Sequence, residues 1–276
     1  MAHSSTEHPA STDSGSTMDM IRSLRERALP ITTIRIEEAY DWVRYDDDPE
    51  DHFAATESLH ANAAQSEDYI ADTLARVVYG SNLIERAGST LEVTTAISNK
   101  IFRGHNPPEE EITQRDAEYH EIRTDLLERN QPATHVDVLH TRREIVQHCL
   151  VLGHHIASTV LANAPLTESL ILETHKILTH KIPSSDGDGP SSYGGRYRID
   201  PVGAGFTTFT PPTSVLSKMR SMLSTYPSDT VLASSTKSVD SFFQAAKYCH
   251  KFVNIHPFAD GNGRTCRIIL NGILLQ

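Results

Sequence analysis

HPFADGNGR, from His256 to Arg264, with Arg267 one helical turn further on, brings an imidazole, a carboxylate, a Gly-Asn-Gly run and two guanidiniums close together in the chain. A histidine titrates near neutrality, so His256 can take a proton from a hydroxyl. Pro257 breaks the helix that precedes it. Gly261, Asn262 and Gly263 tolerate the turn conformations that point successive N–H groups into one concavity. A new helix then opens with Arg264, Thr265, Ile268, Ile269 and Ile273. The glycines therefore lie at a helix N-terminus, where unpaired N–H groups and the helix dipole favour an anion. Arg264 and Arg267 share a face of that helix, and two guanidinium forks suit more than one phosphate. Asp260 is the kind of oxygen ligand that Mg²⁺ takes when it also bridges phosphates. The chemistry these residues imply is a phosphate site with a proton acceptor beside it. Phe258 reads as an anchor for the loop and Cys266 as helix packing.

The elements that must position this loop read as mostly helical. Ile70, Leu74, Val77, Val78 and Ile84 recur at helical spacing in a helix from about Gln65 that stops near Ala87-Gly88. Further helices are expected over Ile112–Leu127, with Ile112, Tyr119, Ile122 and Leu126 on one face, and over Val136–Leu161. Thr167 caps another that runs to Leu178, with Leu166 as its staple. SSDGDGPSSYGG is a loop by composition. RYRIDPVGAGFTTFTPP gives the one β signal: Tyr197 and Ile199 alternate with charged Arg198 and Asp200, VGAG turns, and Phe206 to Phe209 returns. Thr213 can cap a helix through Met222, and Ser238–Ile255 forms the last long helix before the loop, with Phe242, Ala246, Cys249 and Val253 inward. The fold class is mainly α, a helical bundle with one β-hairpin.

Composition narrows the classes. The chain has 276 residues and a formal net charge of −11, so its overall field repels nucleic acid. No stretch approaches the roughly 20 apolar residues of a membrane-spanning helix, and Met1 to Thr17 lack the apolar core of a secretory signal. Three cysteines, Cys149, Cys249 and Cys266, argue for a reducing compartment, hence cytoplasm or nucleus. His148, His154, His155, His175 and His180 show no metal-ligand spacing with Cys or Glu. G-x-x-x-x-G-K-[ST] is absent, which excludes a P-loop NTPase.

The pattern H-x-F-x-D-G-N-G-R-x-x-R resembles the motif of the Fic (filamentation induced by cAMP) family at His256, Phe258, Asp260, Gly261, Asn262, Gly263, Arg264 and Arg267. GGRYRIDPV…FTTFTPP resembles the hairpin flap beside that motif, and LTESLILETHKILTH resembles the helix before it. The resemblance implies a Fic-type helical bundle and adenylyl transfer: AMP passes from ATP–Mg²⁺ to a hydroxyl of a target protein. His256 would be the base and Asp260 would hold Mg²⁺. Gly261, Asn262 and Gly263 would cradle the α- and β-phosphates, and Arg264 and Arg267 the β- and γ-phosphates. A target segment would pair with the flap, Tyr197 to Phe209.

SNLIERAG, Ser81 to Gly88, resembles the inhibitory helix of many Fic proteins, with Glu85 as the glutamate that occupies Arg267; Arg86 stands where that motif has Gly or Asn. Residues 1–18 are expected as a disordered tail, 19–64 as a helical and linker segment, 65–92 as the inhibitory helix, 93–135 as connecting helices and 136–276 as the Fic core. That core is expected to be cut short after the motif helix, because the chain stops at Gln276 inside an apolar pattern with no C-cap. Expected partners are ATP and the protein target, with neither nucleic acid nor membrane; a homodimer is left open. The alternatives are removal of AMP, transfer of another nucleotide-borne group at the same site, or an inactive Fic-like binding module.

Overall fold

A 22-residue helix whose capping box closes both ends of its first turn forms the spine of the molecule. The structure, a computed structural model, describes residues 20–24, 63–105, 112–204, 207–236 and 241–275. The expectations for the tail, the DDDPEDH linker, most of residues 19–64, Phe206 and Ser238 fall outside these residues. In chain order the helices are α1 (Ala63–Ile84), α2 (Leu91–Phe102), α3 (Ala117–Glu128), α4 (His135–Ile156, continued by a π-turn over Ala157–Leu161), α5 (Glu168–Leu178), α6 (Pro190–Tyr193), α7 (Pro212–Thr236), α8 (Ser241–Ile255) and α9 (Asn262–Leu274). A two-stranded antiparallel hairpin, β1 (Gly203–Ala204) and β2 (Thr207–Thr208), lies between α6 and α7, with Gly203 opposite Thr208. Among the described residues no helix is long and apolar enough to cross a membrane.

The spine α4 begins at Thr134, whose hydroxyl accepts from Asp137 N while the Asp137 carboxylate accepts from Thr134 N at 2.8 Å. Val138, Ile145, Val146, Cys149, Leu152 and Ile156 of α4 face a core filled by α1, α2, α3 and a helical turn at Met20–Leu24. A second core joins α5, α7, α8 and α9 through Ile171, Met219, Tyr248, Phe252, Phe258 and Ile269. A third, smaller cluster of Val151 of α4, Leu178 of α5 and Ile268 of α9 lies where these three helices meet. The site loop, between α8 and α9, is thus anchored on both sides by packed helices.

Several sequence expectations are met. Thr167 caps α5 by accepting from Leu170 N at 3.2 Å, and Leu166 is buried. Leu74 and Val78 reach the core, as do Tyr119, Ile122 and Leu126. Others are corrected. Ile84 is 67% exposed, because α1 ends there and its stripe has already left the core. The helix expected from Ile112 begins at Ala117, since the Asp116 carboxylate accepts from Thr113 N and Oγ1 and closes a separate turn. The loop after α5 contains the one-turn helix α6. Helix α7 starts at Pro212, not after a Thr213 cap, and continues past Met222 and Pro227.

Two corrections concern the site. The inward face of α8 is Ala245, Tyr248, Phe252 and Ile255, whereas Phe242 and Val253 are exposed. The larger aromatic pair at four-residue spacing wins the core. In the flap, residues 197–200 are not a strand, and β1 occupies part of the expected VGAG turn. Arg198 is buried and Ile199 is 86% exposed, the reverse of the expected alternation. The cause is that the Arg198 guanidinium serves as a hub for backbone carbonyls, described below.

Three histidines, His148, His155 and His175, are buried in or between these cores, and burial pushes them down to about 3, 4 and 4. Their unfolded value is near 6.5. Between the two values only the unfolded chain binds the protons, so stability is full above pH 6.5 and is lost as the pH falls toward 4. Each histidine is expected to remove roughly 2 kcal/mol by pH 5. Urea unfolding at pH 7 and pH 5 checks this; equal midpoints would contradict it.

Candidate active site

The stretch from His256 to Gly261 makes no regular structure, and its shape is imposed from outside and by one side chain of α9. His256 closes α8 through its own N–H to Phe252 O and turns the chain with φ +52°. Asn262 folds back on the loop: Phe258 N donates to its Oδ1 at 2.9 Å and its Nδ2 donates to Phe258 O at 2.8 Å. Gly261 caps α9 with φ +75°, a conformation in which a side chain would be strained. Arg198 donates to the carbonyls of His256, Asp200 and Thr210, and its backbone N–H to Pro257 O. It ties the flap to the backbone of the loop.

His175 of α5 completes this frame. Gly195 N–H donates to its Nδ1 at 2.9 Å, which makes Nδ1 the acceptor and Nε2 the proton-bearing nitrogen. Nε2 then donates to Asp260 O at 2.8 Å, and the ring stacks on Phe258 at 3.7 Å. Burial, with the Arg264 charge adding to it, keeps this ring neutral. The loop is therefore held by a histidine in one fixed tautomer.

The chemically able groups are oriented with equal definition. The His256 Nδ1 lies 3.3 Å from Val253 O, so Nδ1 carries the proton and Nε2 the lone pair. Phe209 of the flap stacks on the ring at 3.8 Å. Burial, aided by Arg198, holds His256 below its ordinary value although Val253 O, Glu85 and Asp260 act the other way, so the ring is a neutral base at pH 7. Asp260 accepts from Ser185 N at 2.8 Å and Gly261 N at 2.5 Å. Those N–H bonds and Arg264 outweigh burial and hold its carboxyl below the usual range, hence ionised. A hard oxygen donor of this kind fits Mg²⁺.

Asn262, Gly263 and Arg264 form the first turn of α9, whose N–H groups have no partner within the helix. Both guanidiniums are paired with carboxylates. Arg267 donates to Glu85 Oε1 at 2.5 Å, to Ser81 Oγ at 2.8 Å and to Ser81 O at 3.0 Å. The Glu85 carboxylate also covers Gly263 so closely that a Cβ there would overlap it. Arg264 is buried and faces Glu144 at 3.4 Å, and Glu144 also accepts from Gly88 N at 2.9 Å. Asn82 meets His148 Nδ1 at 2.8 Å. The segment Ser81–Gly88 thus touches α4 and α9 through Ser81, Asn82, Glu85 and Gly88.

Every residue of the motif and Glu85 lies at this one place. The side chain of Asn262 is spent on the loop, so only its N–H can face an anion. His175, Arg198, Phe209 and Glu144 were not singled out for the site from the sequence. The signals were slight: His175 lies in a stretch already matched to the family, and Arg198 in the flap.

Residues 165–274 match the model of the Fic/DOC family. The protein adenylyltransferase fic-1 of Caenorhabditis elegans is 32% identical over 106 residues, which are 38% of this chain and 18% of that protein. A Fido domain-containing protein of Dictyostelium discoideum is 39% identical over 82 residues, 30% of this chain and 54% of that protein. The chain thus spans about a fifth to a half of these relatives' lengths. A Fic domain containing signaling protein from Bacteroides thetaiotaomicron superimposes with a TM-score of 0.47 at 16% identity, covering 96% of this chain and 73% of that one.

Arg86, the exposed residue that follows Glu85, has φ +57°. The left-handed conformation costs a side chain about 1–2 kcal/mol, and the extra freedom of an unfolded glycine offsets part of this. Arg86→Gly is expected to stabilise the chain by about 0.5–1 kcal/mol, and Arg86→Ala not to. Thermal melting of the two variants checks it; a lower melting point for Arg86→Gly would contradict it.

Proposed function

We propose that the chain, whose residues 165–274 match the Fic/DOC family model, is a protein adenylyltransferase of that family restrained by Glu85. The observation that carries this reading is a carboxylate of the chain itself at the start of α9, on Arg267 and over Gly263. An anion already lies where phosphate is expected to bind, and a carboxylate substitutes for a phosphate on a guanidinium fork.

In this reading ATP enters with its phosphates at the N–H groups of Asn262, Gly263 and Arg264. Arg267 exchanges Glu85 for a phosphate oxygen. Asp260 would hold Mg²⁺, which neutralises charge on the phosphates. A target segment lies along the flap as an added strand, bringing a Ser, Thr or Tyr hydroxyl to His256 Nε2. The hydroxyl oxygen attacks the α-phosphorus, its proton passes to Nε2, and pyrophosphate leaves. Nδ1 stays on Val253 O, so the ring keeps its orientation as it becomes charged. Positioning and charge stabilisation supply most of the rate, with one general base. We place the reaction in the cytoplasm or nucleus; the free cysteines Cys149, Cys249 and Cys266 support a reducing compartment.

Labelled ATP tests the reading. Glu85→Gly is expected to raise AMP incorporation at least tenfold over the unmodified chain, and Glu85→Gly with His256→Ala to abolish it. Equal labelling with and without Glu85 would sink the restraint. No labelling in any variant, with loss of AMP from a pre-modified target, would favour hydrolytic removal of AMP at the same site.

The pH profile gives a second test. A base is competent above its pKa, and that of His256 lies below 6.5. kcat/KM is expected to be flat from pH 7 upward and to fall on the acid side with its inflection below 6.5. An inflection above 7 would rule out His256 as the base in this environment.

A further inference from the structure

A cavity of about 440 Å³ lies between α7 and α8, beside the outgoing end of the flap. Its charged lining is of one sign: Lys218 from α7 and Lys251 from α8, with His250 beside them. Hydroxyls of Ser221 and Thr225 line it too, and no carboxylate does among the described residues. Neither lysine has a carboxylate partner among those residues. Lys251 is oriented instead by Thr225 Oγ1 at 3.2 Å and by the face of Tyr248, 5.0 Å from the ring centre. In a chain with a net charge of −11 this is a local reversal of sign.

The cavity adjoins the base. Thr210, which lines it, donates through N and Oγ1 to Asn254 O. Its neighbour Phe209 stacks on His256, and Asn254 and Ile255, which also line the cavity, run directly into His256. An extended chain advances about 3.3 Å per residue. A segment lying along the flap with its hydroxyl at His256 therefore carries residues a few positions away over the cavity mouth.

We propose that this cavity receives a carboxylate side chain of the protein target, so that the chain selects hydroxyls with an acidic residue a few positions away. The proposal rests on the target lying along the flap, as in the function proposed above. Complementary charge here sets which segment docks and how fast. The lysine ammoniums and the Ser221 hydroxyl donate to the carboxylate, while the Thr225 hydroxyl, which donates to Met222 O, holds Lys251 in place; no bond is made or broken at this site.

Peptide binding tests it on the full chain. The probes are three fluorescein-labelled nine-residue peptides with one central threonine, flanked by aspartates, by serines or by lysines. Anisotropy at low salt is expected to show the acidic peptide binding about tenfold more tightly than the neutral one. Lys218→Glu with Lys251→Glu is expected to abolish that preference and to favour the lysine peptide, with an unchanged melting point. His256→Ala is expected to keep it. Equal binding of acidic and neutral peptides, no binding of either, or a preference surviving the double charge reversal would overturn the proposal. The two readings separate: an acidic peptide that binds but takes no AMP from ATP leaves the docking intact and counts against transfer. A peptide that is modified without acidic preference does the opposite.

Discussion

The site depends on a loop that cannot hold its own shape. From His256 to Gly261 the backbone departs from both flanking helices, with positive φ at each end. Its polar groups must find partners elsewhere or remain exposed to competing water. They find them in three buried side chains: Asn262 closes the loop on itself, His175 takes the Asp260 carbonyl, and Arg198 gathers carbonyls of the loop and of the flap. Such networks are stiff because a half-satisfied buried donor is costly. The stiffness is what turns a flexible sequence into a fixed arrangement of base, carboxylate and helix N-terminus. Two buried histidines nearby, His175 and His148, are held neutral by burial, with the Arg264 charge adding to it.

The same frame joins elements that are far apart in the chain. His175 contacts Gly195 before the flap and Asp260 in the loop, so the start of the flap and the metal-binding candidate share one imidazole. Arg198 does the equivalent for Thr210 at the far end of the flap and for His256. A short hairpin with two residue pairs has little stability of its own. Its position comes from these two anchors and from the Phe209 ring on His256, rather than from its strands.

Local chemistry was legible in the sequence, and long-range chemistry was not. The Thr167 cap, the length of α4 and the glycine turn into α9 are decided by neighbouring residues, and each is where its pattern indicates. The motif residues converge because they are consecutive. Arg198 was misread because alternation treats a charged residue as solvent-facing; only the carbonyls of residues up to 58 positions away make its burial favourable. The face of α8 was misread because Phe242 and Phe252 look equivalent until the partner helix is known. Glu144 carries no signal at all: it lies 120 residues from Arg264 and 56 from Gly88, and only the packing of α4 beneath α9 makes it a shared partner.

The two arginine–carboxylate pairs differ in a way that bears on the proposed restraint. Arg264 and Glu144 keep about a tenth of their side-chain surface, whereas Arg267 and Glu85 keep 26% and 35%. A buried pair cannot lose one partner without leaving an uncompensated charge, so Glu144 holds Arg264 as part of the fold. A partly exposed pair contributes little, on the order of 1 kcal/mol or less, because water and salt replace either partner readily. Arg267 can therefore trade one anion for another at small cost. Glu85 sits just past the last turn of α1, beside the strained Arg86, while Asn82 and Gly88 on either side are fixed by His148 and Glu144. Release of the carboxylate then requires only a side-chain and turn rearrangement between two fixed points, without α1 leaving the core. On the proposed reading, the restraint is set by a local equilibrium at the end of one helix, and what ATP must displace is the weaker of the two pairs.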